Sequence, residues 1–88
     1  MIANPSATAS NITSTTTLYK GSCRILGFYV NSTTSGTIVF ADSDGTTSTT
    51  LSGTITPAVG YHAFPASCAR GIVVTIANTL NVTVFWDI

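Results

Sequence analysis

The side chains able to do acid–base, nucleophilic or metal chemistry in this sequence are few enough to name. They are His62, Asp42, Asp44, Asp87, Cys23 and Cys68, with Lys20, Arg24 and Arg70 as the only cations and no glutamate at all. Histidine is the commonest general base, and a Ser-His-Asp set needs it beside an activated hydroxyl. No nucleophile-elbow motif surrounds any serine here. Zinc needs four ligands at suitable spacing; Cys23, Cys68 and His62 supply three, with no CxxC pair. Asp42-Ser43-Asp44-Gly45 resembles the opening of a calcium loop, but the bidentate glutamate that completes such a loop is missing. An Asp-Gly hairpin turn accounts for the same letters. These residues predict no enzyme, no metal site and no cofactor.

Saccharide binding asks for less, because an exposed aromatic ring on a sheet can stack on a sugar. Tyr19, Tyr29, Tyr61 and Trp86 are the candidates. Trp86 shares its face of a strand pattern with Val82 and Val84, which favours a core or subunit contact instead. If Trp86 and Tyr61 line one exposed groove, binding gains; if both are covered, assembly gains.

The elements that carry these residues read as β throughout. Residues 14–19 form an edge strand. Residues 22–31 carry Leu26, Phe28 and Val30 on one face and Cys23, Ile25 and Tyr29 on the other, the mark of a strand covered on two sides. A turn at 32–36 leads to a strand at 37–41 and the Asp-Gly hairpin. Residues 46–56 read as one or two exposed strands, and 57–60 as a loop. A short strand at 61–64 ends at Pro65, and 66–71 is irregular. Residues 72–77 alternate cleanly, 78–81 form a turn, and 82–88 close the chain with Val82, Val84, Trp86 and Ile88 facing one way. No helical spacing of apolar residues occurs. Six to eight short strands are the pattern of a sandwich or barrel, and a small antiparallel β-sandwich is the expected fold. Residues 1–12 lack periodicity and read as a flexible N-terminal arm, with 13–88 as a single β-sandwich domain.

Composition explains why such a chain would be β and why it would assemble. Charged residues make up 7% of the 88, against about 25% in typical domains. Threonine and serine take their place, and threonine suits the solvated face of a sheet. No basic cluster grips a phosphate backbone or a membrane surface, so neither nucleic acid nor membrane is an expected partner. The first residues lack the basic and apolar regions of a secretory signal. On that ground Cys23 and Cys68 are expected as two small buried hydrophobes, the alternative being a disulfide across a long loop. The sequons at Asn11, Asn31 and Asn81 carry no weight without secretion. Monomeric β proteins blunt their sheet edges with lysine, other charges and proline. With a formal net charge of zero and one lysine, this chain has little such protection. Its edges and apolar patches are therefore expected to be covered by sister subunits or a larger surface.

The layout of Leu26-Gly27-Phe28-Tyr29-Val30-Asn31, Gly36-Thr37-Ile38-Val39-Phe40-Ala41-Asp42 with Gly45, Phe64-Pro65, Gly71-Ile72-Val73-Val74-Thr75 and Asn81-Val82-Thr83-Val84-Phe85-Trp86 resembles the capsid decoration, or cement, proteins of tailed bacteriophages. The resemblance spans about residues 22–88. It implies a jelly-roll-like sandwich, often a homotrimer, on the capsid exterior of the virion, where it would bridge neighbouring subunits of the major capsid protein. Such a protein is made in the host cytoplasm. The resemblance carries no active residues. The sequence departs from the family's pattern at Cys68, where a larger apolar residue is usual. Ile2, Leu18, Tyr19, Tyr61 and Trp86 are the candidate interface residues. A phage tail or baseplate component and a carbohydrate-binding β-sandwich module are the alternatives.

Overall fold

The computed structural model describes residues 7–88. These form six antiparallel strands and no helix: β1 Thr8–Ile12, β2 Thr16–Lys20, β3 Cys23–Ser43, β4 Ser48–Thr50, β5 Gly60–Cys68 and β6 Gly71–Asp87. All six belong to one sheet. Its spine is the pair β3–β6, matched from Arg24↔Asp87 to Asp42↔Ile72 with three register shifts along the way. Along the first half of β3 the neighbours are β5 on its other side and, beyond β6, β1. Along the second half they are β4 and, beyond β6, β2.

This spine is bent over on itself. Phe28 and Phe40 stand twelve residues apart on β3, about 40 Å in an extended strand, yet their ring centroids are 5.3 Å apart. Tyr19, which pairs with Ile72, likewise lies 5.2 Å from Trp86 at the far end of β6. The two halves of a single sheet therefore face each other as a sandwich-like globule. Its thinnest dimension is 17 Å, as two layers about 10 Å apart require. The layers come from one folded sheet rather than from two separately wound ones.

The bend occupies the stretches read as turns, residues 32–36 and 78–81, and both remain within their strands. Register shifts fall at Val30/Ser32 and Thr34/Ser35, and Ser35 and Asn78 take φ of 55° and 62°. The Asn78 amide donates to the Ser35 carbonyl at 2.9 Å, and the Gly36 N–H donates to Thr33 Oγ1 at 3.0 Å, so the kinked backbone stays satisfied. Bulges of this kind bend a strand without ending it.

A second shift changes which residues of β3 point inward. Between Ile25 and Gly27 the strand carries an extra residue against β6. That bulge at Leu26 inverts the alternation, so Cys23 and Ile25 before it and Phe28 and Val30 after it all enter one core. The expectation of apolar residues on opposite faces is corrected accordingly. The same region lets β5 run through Pro65, which had been read as its end. Ile25 pairs with Ala66 and Gly27 with Ala63, so Phe64-Pro65 holds an extra residue on an outer strand, where a missing N–H is tolerated.

The core draws on both layers: Ile25, Phe28 and Val30 against Ile38 and Phe40 from β3, and Ile72 and Val74 against Leu80, Val82, Val84 and Trp86 from β6. Ile88, expected to face inward with Trp86, is 80% exposed beyond the end of β6. The segment after β4 completes the layer without a regular strand. Ile38 and Ile55 exchange backbone bonds of 2.9 and 3.0 Å, and the Ser52 hydroxyl accepts the Phe40 N–H at 3.0 Å. Five of the twelve residues read as an arm are strand β1, whose buried Ile12 joins the core; residues 1–6 of that range, and the candidate Ile2, lie outside the described residues.

Candidate functional site

His62 and the three aspartates are each engaged by a neighbour. His62 directly opposes Phe28 on β3, and the two rings stack at 5.1 Å. Its Nε2 lies 2.8 Å from the Ala58 carbonyl. A carbonyl only accepts, so this nitrogen donates and cannot serve as a base in that arrangement. Asp44 accepts the N–H groups of Thr46 and Thr47 at 2.8 and 2.9 Å, closing the β3–β4 hairpin around Gly45, as the Asp-Gly pair predicts. These bonds hold its carboxyl below the usual carboxylate range. Asp87 receives Arg24 on both oxygens, at 2.6 and 3.0 Å, and this pairing lowers its carboxyl and raises the guanidinium. Among the described residues no three His, Cys, Asp or Glu side chains converge as metal ligands.

Asp42 does more than close a hairpin. It is 8% exposed, and its two oxygens accept the N–H groups of Ala69 at 3.0 Å, Arg70 at 2.7 Å and Gly71 at 3.2 Å. The Ala69 bond foremost, then those of Arg70 and Gly71, keeps its carboxyl ionised below the ordinary range against the opposing effect of burial. This carboxylate fastens the turn from β5 to β6 onto β3.

The interface candidates separate between core and surface. Trp86 is buried, its indole N–H donating to Ser10 Oγ at 3.1 Å. Leu18 and Tyr19 are partly buried against the core, and Tyr19 packs on Trp86. Tyr61 is 55% exposed, on the opposite side of the layer from Trp86. The two therefore do not share a groove.

What surrounds Tyr61 is a continuous outer face on the layer β1-β6-β3-β5. Tyr61 stands directly across from Tyr29, and its ring passes over Gly27 toward Phe85, 6.2 Å away between centroids. Only glycine permits this, because a Cβ at position 27 would run into the Tyr61 hydroxyl and the His62 carbonyl. Tyr29 pairs with Thr83, which begins a row of amides. Asn11 of β1 and Asn31 of β3 both donate to Asn81 Oδ1 of β6, at 2.8 and 3.1 Å, and both reach Thr83 Oγ1 at 3.2 Å. The three sequons thus meet in one cross-strand cluster in which the Asn11 and Asn31 NH2 groups are already engaged. Along β1, β5 and the halves of β3 and β6 in this layer the charged residues are Arg24 and Asp87, bound to each other at one end.

Compared with known families, curated proteins and solved structures, the chain matches none.

Of this face, Tyr29 and Tyr61 were read as exposed-aromatic candidates, whereas Phe85, the covering of Gly27 and the amide cluster were not. The signal available was the recurrence of Asn-x-Ser/Thr at one position on each of three strands. It becomes informative only once the strand order is known.

Proposed function

We propose that the chain is a non-enzymatic structural protein that works inside an assembly, as a decoration or cement protein on the capsid exterior of a tailed-phage virion. The observation that carries the reading is the outer face of Tyr29, Tyr61 and Phe85 beside the Asn11, Asn31 and Asn81 cluster. It exposes large aromatic area with no unpaired charge, which suits a contact core, where aromatic residues are enriched and charges depleted. The preformed amides bring few loose side chains to be ordered on contact. Among the described residues β1 lies at the edge of the same layer and carries neither charge nor proline, so nothing on it opposes a neighbouring chain.

On this reading sister subunits, most simply three, pack side by side over a seam between major capsid subunits. A jelly-roll-like relationship to cement proteins belongs to the same proposal and rests on the residue pattern between about positions 22 and 88 quoted from the sequence. Each copy contributes apolar burial at about 25 cal/mol per Å². Repetition over a lattice turns modest contacts into resistance to internal pressure. The test is to mix purified protein with capsids lacking it. Co-sedimentation and a higher bursting temperature are expected, and equal heat resistance of bare and mixed particles would refute cementing.

A carbohydrate-binding reading is favoured by the same rings, since two exposed tyrosines beside amides suit a sugar ring. Titration of the protein with oligosaccharides, followed by NMR shifts at Tyr29 and Tyr61, distinguishes it. Saturable shifts lost in Tyr61→Ala would move the assignment to saccharide recognition.

A further inference from the structure

Cys23 opens β3 and Cys68 closes β5, and the two stand directly opposite each other in the antiparallel register. Opposed residues in such a pair have Cα atoms about 4.5 or 5.5 Å apart, and both spacings fall in the range a disulfide spans, about 4.4–6.8 Å. Both side chains are buried and free. The two residues line an open cleft with Ser22, Arg24, Ser67 and Ile88. With Cys23 6% and Cys68 2% exposed, a small reagent in this cleft reaches the sulfurs as that end of the sheet frays.

We propose that Cys23 and Cys68 are a covalent modification site, closed into a cross-strand disulfide by exchange with a low-molecular-weight disulfide. The Cys23 thiolate attacks one sulfur of the reagent. The reagent's S–S bond breaks, a mixed disulfide forms on Cys23, and the departing thiolate takes up a proton. Cys68 then gives its proton to solvent and attacks the Cys23 sulfur, expelling the second small thiol. Two protein thiols are oxidised and one small disulfide is reduced to two thiols. The order follows from the environment. Burial pushes both thiols up, Cys68 to about 12, while the neighbouring Cys68 side chain offsets part of the rise at Cys23. Both groups are therefore thiols at neutral pH, and the pair stays reduced there for kinetic reasons. Once closed, the bond ties β5, whose strand partner is β3, to that partner at the end beside the turn held by Asp42.

The experiment incubates the reduced, folded full chain with oxidised glutathione at about pH 7 and at about pH 9, where thiolate fractions differ roughly 100-fold. Expected are loss of both thiols together, faster at the higher pH, and an intact mass lower by two hydrogens. The product should be single-chain, with Tm raised by roughly 10 °C or more, as closing a loop of about 45 residues implies. Dithiothreitol should reverse all of it. Cys68→Ala should stop at one glutathione on Cys23. Should that variant not fold, the thiol count and mass of the unsubstituted chain decide alone. Two thiols that persist in the folded protein while the urea-unfolded chain oxidises would overturn the proposal. So would a stable glutathione adduct on the unsubstituted chain, or disulfide-linked dimers.

Discussion

Asp42 and Gly71 meet at the corner where β2, β3 and β6 come together, and the chain has few polar contacts of comparable consequence. Three backbone N–H groups converge on a carboxylate that water barely reaches. Charge-assisted bonds of this kind contribute about 1.5–3 kcal/mol. Asp42→Asn keeps the shape, loses the charge and presents an NH2 where an acceptor is needed, so a loss of about 2–3 kcal/mol in urea unfolding is expected. The sign of the pH effect is fixed by the lowered carboxyl. The unfolded chain, with its carboxyls near 3.9, binds more protons in the acid range than the folded one. Stability is thus fully present above about pH 5 and is lost as pH falls through the folded value. Asp44 and Asp87 act in the same direction. Thermal scans from about pH 7 to pH 2 should show Tm falling below pH 4, with a shallower fall in Asp42→Asn. Gly71 adds a steric demand at the same corner. Its φ is 148°, and a Cβ there would press on the carbonyl oxygens of Tyr19 and Ser43. Backbone cannot step aside as a side chain can, so Gly71→Ala should cost about 3 kcal/mol or more by the same unfolding measurement.

At the scale of the elements, β1 connects the two ends of the sequence. It covers β6 from Thr8↔Trp86 to Ile12↔Val82, buries Ile12, and places the Ser10 hydroxyl on the Trp86 indole. Removing residues 1–12 should uncover the Trp86 edge, lower Tm by about 10 °C or more and raise the exposure of Trp86 seen in its fluorescence. A free arm would leave both unchanged. Much of the architecture was legible where alternation was intact: Ile72 and Val74, then Val82, Val84 and Trp86, enter the core as their spacing predicts. So does Ile38 with Phe40, and the Asp44-Gly45 hairpin closes where its letters place it. Legibility ended where one residue changes the register. The bulge at Leu26 inverts a face without altering composition. Ser35 and Asn78 adopt positive φ with no glycine to announce it, so two bends looked like two loops. β1 was hidden because its outward residues are small and polar, and its pairing partner lies some seventy positions away. The aromatic and amide face was legible only in part, as it takes one residue type from each of several strands.

For the whole molecule, the same folding that buries one side of the sheet leaves the outer face of a layer with its rings uncovered. Tyr29 is 43% exposed and Tyr61 55%, on a face whose one cation, Arg24, is neutralised by Asp87. Long-range charge neither repels a second copy nor steers a charged ligand to this face. Association through it should therefore depend weakly on salt and strongly on aromatic area. The most direct measurement is the mass of the purified chain by sedimentation at roughly 0.1 mM, where assemblies of moderate affinity are populated, compared with Tyr61→Lys. A single discrete species of several chains that Tyr61→Lys converts to monomer, with the fold retained by circular dichroism, is the predicted result. A fully monomeric, freely soluble chain whose mass is indifferent to the substitution would contradict it.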